Sequence, residues 1–122
     1  MDFYTKNITD FLNKSDEITL NTLNFGIIGF NNNGIITVYN KTEENMSGLS
    51  YSTVINQPLF TLVAPCLNNY LVALRFETEP VIDEVIPYVF SFKIKPCRVK
   101  LRLIKSPESS VNYILVERQN NG

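Results

Sequence analysis

The chain is 122 residues long, 44% apolar and 19% charged, with a formal net charge of −1. That length supports one core and one domain, that composition a globular chain, and that charge no attraction to nucleic acid or to an anionic membrane. The absence of histidine excludes imidazole catalysis, and the two cysteines, Cys66 and Cys97, have no metal-ligand spacing. With no phosphate-binding loop either, the chain does not read as an enzyme.

No stretch reaches the roughly 18 apolar residues of a membrane span, and the first twenty residues have neither the apolar core of a signal peptide nor the charge of a transit peptide. The expectation is a cytoplasmic protein. Phe3, Ile8, Phe11 and Leu12 lie among polar neighbours, which predicts short amphipathic helical turns forming a cap over residues 1–20, ahead of a domain over 21–122.

Residues 23–30 predict a strand, and Asn31-Asn32-Asn33-Gly34 a hairpin turn, because Asn and Gly tolerate positive φ. Residues 35–39 return as the second strand. Asn40 is placed to cap a helical turn that Gly48 ends, and Ser50 to cap another reaching Val54. Past Val63-Ala64-Pro65-Cys66, the residues Leu67, Tyr70, Leu71 and Leu74 recur at i, i+3, i+4 and i+7, which predicts an amphipathic helix ending before Pro80.

Three strands complete the chain. Tyr88, Phe90, Phe92 and Ile94 alternate with Val89, Ser91, Lys93 and Lys95; after Pro96, Val99, Leu101 and Leu103 point inward and Arg98, Lys100 and Arg102 outward; residues 113–118 form the last strand. Lys93, Lys95, Arg98, Lys100 and Arg102 read as a solvated face, or as a surface for an acidic partner. Cys97 reads as packing at a strand start. The order predicts an α+β chain of the PAS fold: a five-stranded antiparallel sheet with helices on one face and a short N-terminal helical cap.

The segments LNFGIIGFNNNGIITVYNKTEENMSG and VINQPLFTLVAPC, with IKPCRVKLRL further on, resemble the photoactive yellow proteins in motif and order. In that family a 4-hydroxycinnamoyl (p-coumaroyl) group is held as a cysteine thioester, its phenolate oxygen bonded by a tyrosine and a protonated glutamate, and light isomerises its double bond. The resemblance implies a blue-light photoreceptor with Cys66 as the attachment point. It makes Tyr39 and Glu43 the phenolate partners, Ser47 the support of Tyr39, and Ile28, Leu49, Val63, Ala64, Phe90, Phe92 and Ile94 the surrounding wall. Leu49 stands where the family commonly has an arginine.

Physical chemistry gives these roles independent content. Tyr39 and Glu43 are four residues apart across a strand end and a helical turn, so both can reach one buried point. A carboxyl in an apolar pocket beside a phenolate is expected to be protonated and to donate its proton after isomerisation. The helical reading after Cys66 places the thiol at a helix N-terminus, which favours the thiolate. The expected signal is displacement of the cap toward an unidentified downstream protein, from a monomer or weak homodimer. The alternative is a PAS interaction module without chromophore that acts by dimerisation or partner binding.

Overall fold

The computed structural model describes residues 1–90 and 96–118. Phe92 and Ile94, with Lys93 and Lys95, lie outside them. Two helices, α1 (Ile8–Lys14) and α2 (Glu17–Asn21), precede a hairpin of β1 (Gly26–Phe30) and β2 (Ile36–Tyr39). Helices α3 (Lys41–Ser47) and α4 (Tyr51–Val54), a π turn (Leu59–Val63) and a 3-10 turn (Pro65–Leu67) lead to α5 (Ala73–Thr78). Strands β3 (Ile82–Phe90), β4 (Cys97–Lys105) and β5 (Asn112–Arg118) close one antiparallel sheet in the order β2-β1-β5-β4-β3.

Strand alternation divides the core between the two faces of this sheet. Ile28, Phe30, Val99, Leu101, Leu103, Ile114 and Val116 pack against the α3 to α5 side. On the opposite face Ile27, Ile104, Tyr113 and Leu115 are covered by Phe3, Ile8, Leu12 and Leu20 of the N-terminal segment. The five-stranded α+β PAS arrangement is the one the element order predicts.

Covering that second face changes the reading of the basic strands. Arg102 is buried at 5% exposure, with its guanidinium forked onto Asp83 (2.8 and 3.0 Å) and donating to the carbonyls of Phe3 (3.1 Å) and Thr5 (2.7 Å). It is thus no part of a solvated face. Lys100 donates to the Tyr4 hydroxyl at 3.2 Å.

The helix expected from Leu67 onward is also corrected. Asn69 Oδ1 accepts from the backbone N–H groups of Leu71 and Val72, a local turn that competes with helix, so α5 starts at Ala73. The buried residues there are Leu67, Val72, Ala73 and Phe76, whereas Tyr70, Leu71 and Leu74 are exposed. Strand β3 begins at Ile82, six residues ahead of the aromatic alternation, and tolerates Pro87 because it is a sheet edge.

Candidate functional site

The site begins with an irregularity in the hairpin. Tyr39 pairs with Ile28 and Ile36 with Phe30, so β2 carries one residue more than β1 between them. That bulge turns Ile36 and Tyr39, three residues apart, toward the same buried side, where regular alternation would have turned one of them away.

Asn40 then starts α3 and binds it to the sheet. Its side-chain oxygen accepts from the N–H of Glu43 (3.0 Å) and of Ile27 (2.9 Å), and its amide donates to the carbonyls of Leu20 and Phe25, each at 3.0 Å. One buried amide therefore ties α2, β1 and the first turn of α3 together, and aims Glu43 and Ser47 at Tyr39. Gly48, at φ 80°, terminates the helix in the left-handed region.

Tyr39 donates its hydroxyl proton to the Leu49 carbonyl (3.1 Å) and lies 2.6 Å from Ser47 Oγ. With the phenol proton so committed, Ser47 donates to Tyr39, while its oxygen accepts from the Leu49 N–H (3.0 Å). Burial pushes the Tyr39 phenol up to about 12; the Ser47 hydrogen bond and the Arg118 charge oppose that shift, and the Glu43 charge adds to it. Leu49 thus acts through its backbone.

Glu43 departs from the expected protonated donor. Its carboxylate forms a two-pronged pair with Arg118, Oε1 to Nη1 at 2.7 Å and Oε2 to Nη2 at 3.0 Å, with both side chains more than nine-tenths buried. A guanidinium forked onto a carboxylate stabilises the ionised form by charge and by two hydrogen bonds. Burial works against the Arg118 charge, but the hydrogen bonds and charge of Glu43 outweigh it and hold the guanidinium pKa above its ordinary value. The Arg118 guanidinium carbon also lies 5.6 Å from the Phe90 ring centre.

Arg118 was legible only in part. It follows Ile114 and Val116 on the alternation of β5, so a cation on that face of the last strand was the available signal. Gly26, opposite Val116, was also missed, as were Ile36, Leu59 and Leu67 of the cavity wall. A β-carbon at Gly26 would collide with the Glu43 carboxylate and lie 3.2 Å from Glu43 Cβ. Gly26→Ala should therefore displace Glu43 from Arg118 and cost about 1–3 kcal/mol, measurable as a lower midpoint of chemical unfolding.

Ile28, Ile36, Tyr39, Glu43, Ser47, Leu49, Leu59, Val63, Ala64, Leu67 and Phe90 enclose one cavity of about 20 Å³. Eight of the residues named from sequence meet there: Tyr39, Glu43, Ser47, Ile28, Leu49, Val63, Ala64 and Phe90. Cys66 does not line it; it sits between two residues that do, Ala64 and Leu67. Its carbonyl accepts from the Tyr88 hydroxyl (2.5 Å) and from Asn69 (3.1 Å), which fastens the turn to β3. The thiol belongs to a three-residue 3-10 turn rather than to a helix N-terminus, so no helix dipole acts on it.

The polar end of the cavity fits a phenolic head group, because two hydroxyls and a carboxylate converge there out of water. Its volume is that of about one water, so a ring of cinnamoyl size requires the side-chain wall to move outward. Among the described residues no group of His, Cys, Asp and Glu could hold a metal, and no helix is long and apolar enough to cross a membrane.

A five-stranded sheet with helices enclosing a cavity on one face defines a PAS domain, and residues 17–117 match the PAS fold family. The PAS domain of an HTR-like protein from Haloarcula marismortui superposes with a TM-score of 0.62 at 11% identity, over 94% of this chain and 98% of that one, which speaks for the fold alone. The likeness to one branch is far stronger. Photoactive yellow protein of Halochromatium salexigens is 32% identical, covering 87% of this chain and 86% of that protein. The photoactive yellow protein domain of the sensor histidine kinase Ppr from Rhodospirillum centenum superposes with a TM-score of 0.81 at 30% identity, over 88% of this chain and 97% of that domain. The chain belongs to the photoactive yellow protein family, and its role is that of a sensory, photoreceptor-type PAS domain.

Proposed function

We propose that this chain is a blue-light receptor that carries a 4-hydroxycinnamoyl group as a thioester on Cys66. The observation that carries the reading is the convergence of Tyr39, Ser47 and Glu43 on an enclosed apolar cavity whose wall includes Ala64 and Leu67, the residues that bracket Pro65 and Cys66. Attachment would proceed by addition of the Cys66 thiolate to the acyl carbonyl of an activated 4-hydroxycinnamate, forming the S–C bond and expelling the activating group with its electron pair. With no histidine in the chain, the activated acyl donor supplies the driving force. Bound there, the group would supply visible absorption and a double bond that light isomerises.

The residues of this chain would hold the phenolic end, with Tyr39 and Ser47 as hydroxyl partners and Phe90, Leu49, Val63 and Ala64 excluding water. Proton transfer from Glu43 to the phenolic oxygen is the proposed light-driven step, and it requires Glu43 to hold a proton, hence to have parted from Arg118. The first twenty residues would act as the displaceable element and signal to a downstream cytoplasmic protein. That a relative of this fold is a domain of a sensor histidine kinase supports such a partner.

The test is incubation of the purified protein with an activated 4-hydroxycinnamate. A mass increase and a visible band that bleaches in light are expected, both lost in Cys66→Ala and kept in Cys97→Ala. A protein that stays colourless and unlabelled, and sediments as a dimer with rising concentration, would instead be an interaction module.

A further inference from the structure

Glu43 is the carboxyl among the residues that line the cavity with Tyr39 and Ser47, and its ionisation is governed from a different element. Arg118 stands at the end of β5 on the same face as Ile114 and Val116, opposite Val99. It reaches the α3 carboxylate with both terminal nitrogens, at 2.7 and 3.0 Å, while its plane adjoins Phe90 of β3. The residues facing this pair are Tyr39 from β2, Ser47 from α3, Phe90 from β3 and the Gly26 backbone of β1. Among the described residues, Cys97 at the start of β4 is a further titratable group that acts on Arg118, and Glu44 of α3 acts on Tyr39 from outside the cavity.

We infer that Arg118 is a positioning residue that makes Glu43 of the ligand-free protein a hydrogen-bond acceptor, so that the cavity first receives a hydroxyaryl ligand as the neutral phenol, before the thioester forms and before Glu43 parts from Arg118. This rests on the cavity being the ligand site proposed above, and it confines the donor role that the family resemblance implies for Glu43 to the state in which Arg118 has left the carboxylate. Both carboxylate oxygens accept from Arg118 N–H donors, the arrangement that favours the ionised form, and an ionised carboxylate can only accept from a third group. Tyr39 shows how a phenol fares in this environment. Buried beside the same ion pair, it is held neutral far past neutral pH, because burial outweighs the help Arg118 gives its anion. A ligand phenol brought alongside meets the same burial and the same charges. It keeps its proton and directs it in a hydrogen bond to Glu43.

The arrangement also couples the ligand's charge to the last strand. For the bound phenol to become a phenolate beside a protonated Glu43, its proton must pass to the carboxylate, the O–H bond of the ligand breaking as that of Glu43 forms, and Arg118 must leave that carboxylate. A change at the end of β5 would therefore accompany any switch between the two ligand forms.

Infrared spectroscopy of the ligand-free protein tests the inference without any chromophore. At neutral pH the wild-type protein is expected to lack the carbonyl band of a buried protonated carboxyl. Arg118→Gln should gain that band, Arg118→Gln/Glu43→Gln should lose it again, and Arg118→Lys should resemble wild type. The band in the wild-type protein, or its absence from a folded Arg118→Gln, would overturn the assignment. If Arg118→Gln does not fold, the wild-type and Arg118→Lys spectra decide.

The ligand arm uses methyl 4-hydroxycinnamate with Cys66→Ala protein, which cannot attach it. The bound ester should keep its phenol-type absorption at a pH where the free ester is half ionised. A phenolate-type band, or no binding of the ester, counts against the proposal. Because the carboxyl readout needs neither ligand nor thiol, its outcome is separable from failure of thioester formation at Cys66.

Discussion

Replacing Arg118 by alanine is expected to destabilise the protein by about 3–5 kcal/mol at neutral pH, because it strands a buried carboxylate without its counter-charge. In a chain of this size the loss corresponds to a fall in melting temperature of at least ~10 °C. The sign of the pH dependence is specific. In the variant, Glu43 folds into an apolar site with no cation, so the folded state binds a proton that the unfolded state at pH 7 does not. Stability of the variant relative to wild type should therefore rise as pH falls from 7 toward 5, a range in which losing a surface ion pair leaves a deficit that does not change with pH. Replacing both partners with methionine should recover most of the loss, since a packed apolar pair avoids the desolvation that the ion pair incurs. Thermal unfolding at two pH values across the single and double variants measures all three effects. A deficit independent of pH, and unrelieved in the double variant, would mean that Arg118 acts by packing alone.

The same pair marks the boundary of what the sequence made legible. Features written in local chemistry were recovered: Asn-Asn-Asn-Gly as the hairpin turn, Asn40 and Gly48 as the ends of α3, and Val99, Leu101 and Leu103 as the buried face of β4. What stayed hidden depends on elements distant in the chain. Alternation assigns Arg102 and Leu101 to opposite faces correctly, but it cannot tell that the face of Arg102 is covered by residues almost a hundred positions earlier. An apolar stripe at helical spacing after Cys66 was outweighed by a single side chain, Asn69, closing a turn on its own backbone. Glu43 was placed at the site by its distance from Tyr39, yet its charge is set by Arg118, 75 residues away. Tyr39 itself reaches the cavity through a bulge that a period-two pattern does not encode.

Arg102 carries the other large expectation, and it bears on how a signal would leave the domain. Its side chain is 6% exposed and meets two demands at once, the charge of Asp83 on the edge strand and two carbonyls of residues 3 and 5. Asp83 is half exposed and can be rehydrated, so most of the cost of Arg102→Met falls on the N-terminal segment, whose carbonyls lose charge-assisted donors under a cover that partly excludes water. A loss of about 1–3 kcal/mol is expected, concentrated in local opening of that segment. Amide hydrogen exchange within residues 3–14 should accelerate by roughly tenfold per 1.4 kcal/mol, while exchange in β1 and β5 changes much less. Phe3, Ile8 and Leu12 remain buried against Phe25, Ile27 and Tyr113, so the segment should loosen without leaving the sheet. If displacement of these residues is how the domain signals, Arg102→Met shifts the dark protein toward the released state. Uniform acceleration across the whole sheet would show instead that the first twenty residues and the sheet unfold as one unit, leaving no separate element for a light signal to move.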